Sequence, residues 1–363
     1  MKTLLALLAS MVFAATATAQ TSDWQKTWDE TLAAAKKEGK VVIIGSPDPV
    51  MRGQINPKFT ERYGIKVEYI AGNSSQLIER VRTERTSGIY STDIYMSGAN
   101  STLNNLLPAK MLDPVKPLLI RPEVTEGSNW KRGKPVFADP EGQYALALFA
   151  TVDSFLFINE AYVKPGELKT VQDLLNPKWK GKILSQDPNL SGTGQNTASY
   201  FYRELGADFI RKLYIDQKPV ISADRRQMID WLARGIYPIC LSCRVDDAKD
   251  LIKDGFKLKE IYSLPGIRDR IITGSPFLLA FANKAPNPNA ARVFINWMAS
   301  KEAVEIYSRN FGSVSLRTDV DESFLNPDAI PKPGVEYIDD TDPEWLTTGR
   351  VETAKKVKEI LKP

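Results

Sequence analysis

Two long apolar runs, each broken once by small polar residues, constrain this chain more than any other feature. The first is Tyr144-Ala-Leu-Ala-Leu-Phe-Ala-Thr-Val-Asp-Ser-Phe-Leu-Phe-Ile-Asn159, interrupted at Thr151, Asp153 and Ser154. The second is Ile271-Ile-Thr-Gly-Ser-Pro-Phe-Leu-Leu-Ala-Phe-Ala-Asn283, interrupted at Thr273, Gly274 and Ser275. Both read as buried strands flanked by alternating strand-like and helix-like segments. Read as crossovers, they divide the chain into two lobes with a cleft, and they bring the hydroxyls of Thr151 and Ser275 to the cleft wall, where small ligands usually sit.

The segments before the first run repeat one unit. Val41-Val-Ile-Ile44 is a short apolar strand that ends in Gly45-Ser46-Pro47-Asp48, ahead of a helix carrying Ile55, Phe59 and Tyr63. Ile65 to Ile70 leads through Asn73, Ser74 and Ser75 into a helix with Leu77, Ile78 and Val81, and Thr92 to Met96 leads through Ser97 and Gly98 into another. Three strand-loop-helix units in succession predict a parallel sheet. In such sheets ligands bind outside the carboxyl ends of the strands, so Ser46, Ser74, Ser75 and Ser97 should share one edge. A second lobe begins with Lys182 to Ser185, a loop from Asp187 to Gly194 and a helix with Thr197, Tyr200, Phe201 and Leu205. It continues through helical Asp224 to Ala233, a strand over Ile236 to Ser242 and helical Val245 to Lys253. Its cleft wall should carry Ser191, Thr193 and Arg244. The expected fold class is α/β, each lobe a mainly parallel sheet flanked by helices.

A length of 363 residues, 43% hydrophobic and 25% charged, suits two globular domains. Lys2, the apolar run Leu4 to Ala15 and Ala17-Thr18-Ala19 have the form of a cleaved export signal, so residues 1–19 are expected to be removed and the mature chain to begin near Gln20. No later run is long enough for a membrane helix. The 48 basic and 44 acidic residues are scattered, which leaves no nucleic-acid footprint. Histidine is absent, which removes Ser-His-Asp and Cys-His nucleophiles, imidazole bases and His-ligated zinc.

Several local patterns carry two readings each. Gly192-Thr193-Gly194 opens a helix whose free amides can receive an anion, and it serves equally as a turn with a helix cap. Arg244 either turns a guanidinium fork into the cleft or pairs with Asp246 and Asp247 at the surface. Cys240 and Cys243 lie about 10 Å apart in a continuous strand, so they bridge only where the strand ends at Leu241; otherwise they are small buried side chains. Tyr200 and Tyr202 are turned about 200° apart on a helix and cannot converge on one metal. Ser128-Asn-Trp-Lys131 matches a Ser-x-x-Lys pair but lacks companion motifs.

The segment Asn289 to Asn310 places Ala290, Val293, Phe294, Trp297, Met298, Val304 and Tyr307 at helical spacing. The piece Asn283-Lys-Ala-Pro-Asn-Pro-Asn-Ala-Ala-Arg-Val-Phe-Ile-Asn-Trp-Met-Ala-Ser-Lys-Glu-Ala303, together with the export signal, the repeated units and the two crossovers, resembles the extracellular solute-binding proteins of ATP-binding-cassette importers, of the type II periplasmic-binding-protein fold. The resemblance implies a two-lobed protein whose chain crosses a hinge three times, the third near Gly312 to Ser315. Lobe 1 would hold residues 20–150 and 275–312, and lobe 2 residues 151–274 and 313–363. It implies a periplasmic monomer, without cofactor or metal, that takes a small polar solute to an inner-membrane permease; the helix starts after Ser46, Asn73, Ser97 and Ser191, with Arg244, make an anionic solute the expectation. Ferric-ion binders of the same family are the alternative, although the expected tyrosine pair is here Leu241-Ser242-Cys243. A secreted, histidine-independent enzyme using the same cleft is the reading from another class.

Overall fold

The computed structural model describes residues 23–72, 74–190, 192–243, 245–342 and 344–362, without the side chains of Ser74, Ser75, Val245 and Asp246. The expected export signal, Asn73, Ser191 and Arg244 lie outside the described residues. The chain divides into two compact units: Met1–Ala150 with Thr273–Leu325, and Thr151–Ile272 with Asn326–Pro363.

In the first unit a helix over residues 23–38 (α1) precedes β1 (Lys40–Gly45), α2 (Asn56–Tyr63), β2 (Lys66–Ala71), α3 (Ser74–Thr86), β3 (Ile94–Ser97) and the short α4 (Ala99–Ser101). Strands β4 (Leu112–Asp113), β5 (Val136–Phe137) and β6 (Ala145–Ala147) follow, with α5 (Pro122–Thr125) between the first two. The apolar tetrapeptide Val41 to Ile44 is central: β1 pairs in parallel with β2 on one side and β3 on the other. The sheet order is β2-β1-β3-β14-β6-β5, where β14 (Leu278–Ala282) returns antiparallel between β3 and β6. On one face, Ile44, Tyr95 and Ala280 pack with Val81 of α3. Phe59 meets Phe294 and Trp297 of α9 (Pro288–Met298) at ring centroid distances of 5.0 and 5.4 Å. The helical spacing over Asn289 to Asn310 is realised as two helices, α9 and α10 (Lys301–Phe311), because Ser300 takes an extended conformation and caps the second.

The second unit contains β7 (Ala150–Val152) from Thr151 onward, then β8 (Leu156–Asn159), β9 (Ile183–Ser185), α6 (Thr193–Arg211), β10 (Val220–Ile221), α7 (Arg225–Ala233), β11 (Ile239–Cys240), α8 (Val245–Lys253) and β12 (Leu258–Ile261). The first apolar run is thus three short strands, β6, β7 and β8. The sheet order is β10-β9-β11-β8-β12, with β9 parallel to β10 and β11, and β8 antiparallel to β11 and β12. Successive residues serve opposite faces. Leu156, Ile158, Ile183 and Ile239 join one core with Phe201 and Phe209, whereas Phe157, Leu184 and Cys240 join another with Met228 and Leu232. Both faces are covered, which is why these strands are apolar without interruption. A smaller sheet has the order β15-β13-β7, formed with β13 (Arg270–Thr273) and β15 (Ile338–Asp339), and the chain ends in α11 (Arg350–Ile360).

Two expectations need correction. The chain does not leave the first unit near Gly312 to Ser315: the segment from Leu316 to Leu325 stays there, and the tail belongs to the second unit only from Asn326 onward. Ser315 bridges Phe149, Arg317 bridges Trp130, and the Leu316 amide donates to the Leu148 carbonyl at 2.9 Å, so the segment stays in the first unit as far as Leu325. The strand expected over Ile236 to Ser242 is only Ile239–Cys240. Pro238 has no amide to give a ladder, and a disulfide turns the chain after Cys240. Among the described residues, no helix is long and apolar enough to cross a membrane.

Candidate functional site

In the first unit the carboxyl ends of β1, β2 and β3 lie level, since Gly45 is paired with both Ala71 and Met96. Ser46 leaves β1 exposed, and its carbonyl accepts the Tyr69 hydroxyl at 2.7 Å. Ser97, half-buried at the end of β3, has its hydroxyl 2.9 Å from that of Thr102. Ser46 and Ser97 are brought together at a cavity of about 20 Å³ beneath Leu77, Ile78 and Val81, the room of a single water. Ser74 and Ser75 are the first two residues of α3, the helix that follows β2 from this same edge. Asp48 faces inward: its carboxylate accepts the amides of Val50 and Met51 at 2.8 and 3.0 Å and the Tyr307 hydroxyl at 2.5 Å. Its carboxylate is thus engaged in holding the loop after β1.

Sequence reasoning missed a basic group at this edge. Ser97 is level with Leu278, Leu278 with Ala147, and Ala147 with Val136, so the segment entering β5 starts at the same side of the sheet. That segment carries Arg132 and Lys134, and the Arg132 guanidinium donates to the Thr273 hydroxyl at 3.0 Å. With Lys116 and Glu141 they line a groove of about 720 Å³ floored by Val136 and Phe137. The visible signal was Lys131-Arg-Gly-Lys134 immediately before a strand.

In the second unit the exits of β9 and β11 meet. The Gln186 amide donates to the Ser242 hydroxyl at 2.6 Å, and the Ser185 hydroxyl donates to the Gln186 carbonyl at 2.8 Å. The first turn of α6 sits on this junction so closely that a side chain at Gly194 would begin 2.5 Å from the Gln186 carbonyl oxygen. Thr193 is the first residue of α6; its N-cap, Gly192, offers no side-chain cap, and the first turn holds no acidic residue. Those leading amides and the positive end of the helix dipole therefore meet no carboxylate from their own helix. Cys240 and Cys243 are joined in a disulfide with Cα atoms 5.7 Å apart, the outcome available because the strand ends at Cys240.

Thr151 is half-buried in β7, and Ser275 is half-buried before a cis bond to Pro276; the two fall in different units, one on each side of a chain crossing. Beyond the crossings, in the second unit, Arg270 is buried between Asp153 and Asp340 and lies over the Tyr200 ring at 4.8 Å. Burial opposes the Arg270 charge, but the two carboxylates outweigh it and hold the guanidinium protonated. Burial likewise raises the Asp340 carboxyl above its ordinary range, against the pull of Arg270. The Tyr200 hydroxyl donates to the Arg268 carbonyl, and its titration is pushed up by burial. Tyr200 is a core residue.

A sequence profile described as bacterial extracellular solute-binding protein matches residues 54–334. A Haemophilus influenzae protein described as uncharacterized is 23% identical over 297 residues, 78% of this chain and 80% of its own. The periplasmic binding protein AfuA from Actinobacillus pleuropneumoniae, solved with fructose-6-phosphate bound, superposes with a TM-score of 0.64 at 17% identity, over 88% of this chain and 97% of that one. The ferric binding protein from Campylobacter jejuni gives a TM-score of 0.65 at 17% identity, over 88% and 99%. These structures share the fold, and the profile spans most of the sequence. The chain belongs to the bacterial extracellular solute-binding proteins.

Proposed function

We propose that this protein is a periplasmic receptor that binds a small polar, anionic solute and delivers it to an inner-membrane ATP-binding-cassette permease without catalysing a reaction. The observation that carries the anion is the start of α6: its first turn has no side-chain cap from Gly192 and no acidic residue, and it is seated at the exits of two parallel strands. A helix terminus of this kind favours an anion by about 0.3–1 kcal/mol and supplies ready amide donors. Ser46, Ser74, Ser75 and Ser97 are the first unit's proposed contacts, and Ser191, Thr193 and Arg244 the second's. Arg132 adds a cation at the first edge, held by Thr273. Thr151 and Ser275, next to the crossings, would both touch solute and absorb the dihedral changes of closure. AfuA, whose solved ligand is a phosphorylated sugar, supports an anionic cargo by analogy of fold.

Arg244→Ala and Arg244→Lys test the site. Both should weaken binding of the cognate solute, Lys less than Ala, with the far-ultraviolet dichroism unchanged. Wild-type affinity in Arg244→Ala would remove this residue. Iron is the second reading, favoured by the resemblance to the Campylobacter ferric binding protein. Against it, Tyr200 is buried with its hydroxyl engaged by a carbonyl. Metal analysis of the purified protein separates the two: stoichiometric, tightly held iron would replace the anionic solute as cargo.

A further inference from the structure

The Cys240–Cys243 disulfide encloses Leu241 and Ser242, both buried. In an extended strand the Cα atoms of residues three apart are separated by about 10 Å; here they are 5.7 Å apart, so the bridge holds a turn where the alternating apolar sequence would otherwise continue the strand. Within that turn the Leu241 amide donates to the Leu184 carbonyl at 2.9 Å and the Ser242 hydroxyl receives the Gln186 amide at 2.6 Å. Gln186 in turn presents its carbonyl to Gly194, where even a methyl group would collide. An unbroken line of contacts runs from the disulfide through Ser242 and Gln186 to the first turn of α6.

We propose that the disulfide and Ser242 are positioning elements of the solute site: they fix the Gln186 peptide, which fixes where the leading amides of α6 point. The proposal rests on the reading of the α6 start as an anion-binding edge. Opening the bridge would let residues 241–243 relax toward extended backbone, withdraw the Ser242 hydroxyl from Gln186 and loosen the seat of the helix, while the cores on the two faces of the sheet stay packed. Export into an oxidising compartment is then a condition for full affinity as well as for stability.

The test compares the wild type, Ser242→Ala and the double variant Cys240→Ala/Cys243→Ala by residue-resolved hydrogen exchange without solute, followed by titration with inorganic phosphate monitored at the amides of Thr193, Gly194 and Gln195. In both variants the Gln186 amide should exchange at least tenfold faster while the amides of Leu258–Ile261 keep wild-type rates, and the phosphate response of the α6 amides should weaken about tenfold. Ser242→Ala keeps the disulfide, so it decides the matter if the double variant folds poorly. Unchanged Gln186 exchange in Ser242→Ala would overturn the proposal. So would equal acceleration at Leu258–Ile261, which would reduce these residues to general stability. A wild type whose α6 amides ignore phosphate would instead contradict the anion reading, and the exchange data would still decide the seating.

Discussion

Arg317 grips Asp319 with two parallel hydrogen bonds, Nε to Oδ1 at 2.9 Å and Nη2 to Oδ2 at 2.8 Å, from a guanidinium with no exposed surface. Its remaining terminal nitrogen donates to the carbonyls of Ala299 at 2.9 Å and Glu123 at 3.0 Å, and the group lies over the Trp130 ring at 5.5 Å. One side chain thus ties the loop after α9, the α5 region and the returning segment together, and it explains why residues up to Leu325 remain in the first unit. Removing the buried Arg317 leaves the Ala299 and Glu123 carbonyls and the Asp319 carboxylate, which is one-third exposed, without their donor. Arg317→Ala should lower stability by about 3–5 kcal/mol, measured by denaturant unfolding; a loss below about 1 kcal/mol would show that the guanidinium is dispensable.

The same pair predicts a pH dependence. Burial alone would raise the Asp319 carboxyl, but the hydrogen bonds and charge of Arg317 outweigh it and hold the carboxyl below its ordinary range. A carboxyl lowered in the folded state stabilises above its unfolded pKa of about 3.9, and this contribution is lost as pH falls through the folded value. Asp319→Asn should therefore unfold more easily at pH 7 and lose less further stability than the wild type between about pH 5 and pH 2. Parallel acid limbs in the two proteins would be the contrary result.

Asp48 holds the loop after β1 with three accepted hydrogen bonds, one of them from Tyr307 on α10. Tyr307→Phe removes a buried donor to a carboxylate and keeps the ring, which lies tilted against Phe149 and edge-on to Phe277. A cost of about 1.5–3 kcal/mol is expected. Thermal unfolding would detect it, and a neutral substitution would mean that the hydroxyl's contact with Asp48 is not formed in solution.

Gly194→Ala and Gly98→Ala make a matched pair. At Gly194 the new methyl group would start 2.5 Å from one backbone oxygen and 2.9 Å from another, whereas at Gly98 nothing lies within 4 Å. The first should cost about 1–3 kcal/mol by overpacking, and the second should stay within about 0.5 kcal/mol of the wild type. Equal melting temperatures would show that α6 is not seated on Gln186.

Much of this architecture was legible in the sequence because it is local. Val41 to Ile44, Ile65 to Ile70 and Ile183 to Ser185 are apolar runs short enough to be strands, and the helices that follow announce themselves by their own apolar spacing. The edge at Ser46 and Ser97 followed from the order of those units. What could not be read depends on distant partners. Ser315 pairs with Phe149 and Arg317 with Trp130, and neither has a local pattern announcing that partner. The shortening of β11 depends on a bridge that spacing alone left open. Arg132 escaped notice because its level on the sheet is set by three successive antiparallel pairings, from β3 through β14 and β6 to β5.

The central claim, an anionic solute received at an uncapped helix start, is tested most directly by thermal shift against organic acids, phosphorylated sugars, phosphonates, neutral sugars, amino acids and polyamines. A cognate solute at 100 times its dissociation constant should stabilise the protein by about 2.7 kcal/mol. A rise in melting temperature is expected with one of the carboxylate, phosphate or phosphonate compounds and with none of the neutral sugars or polyamines. Stabilisation by a polyamine or a neutral sugar, with no response to any anion, would contradict the account.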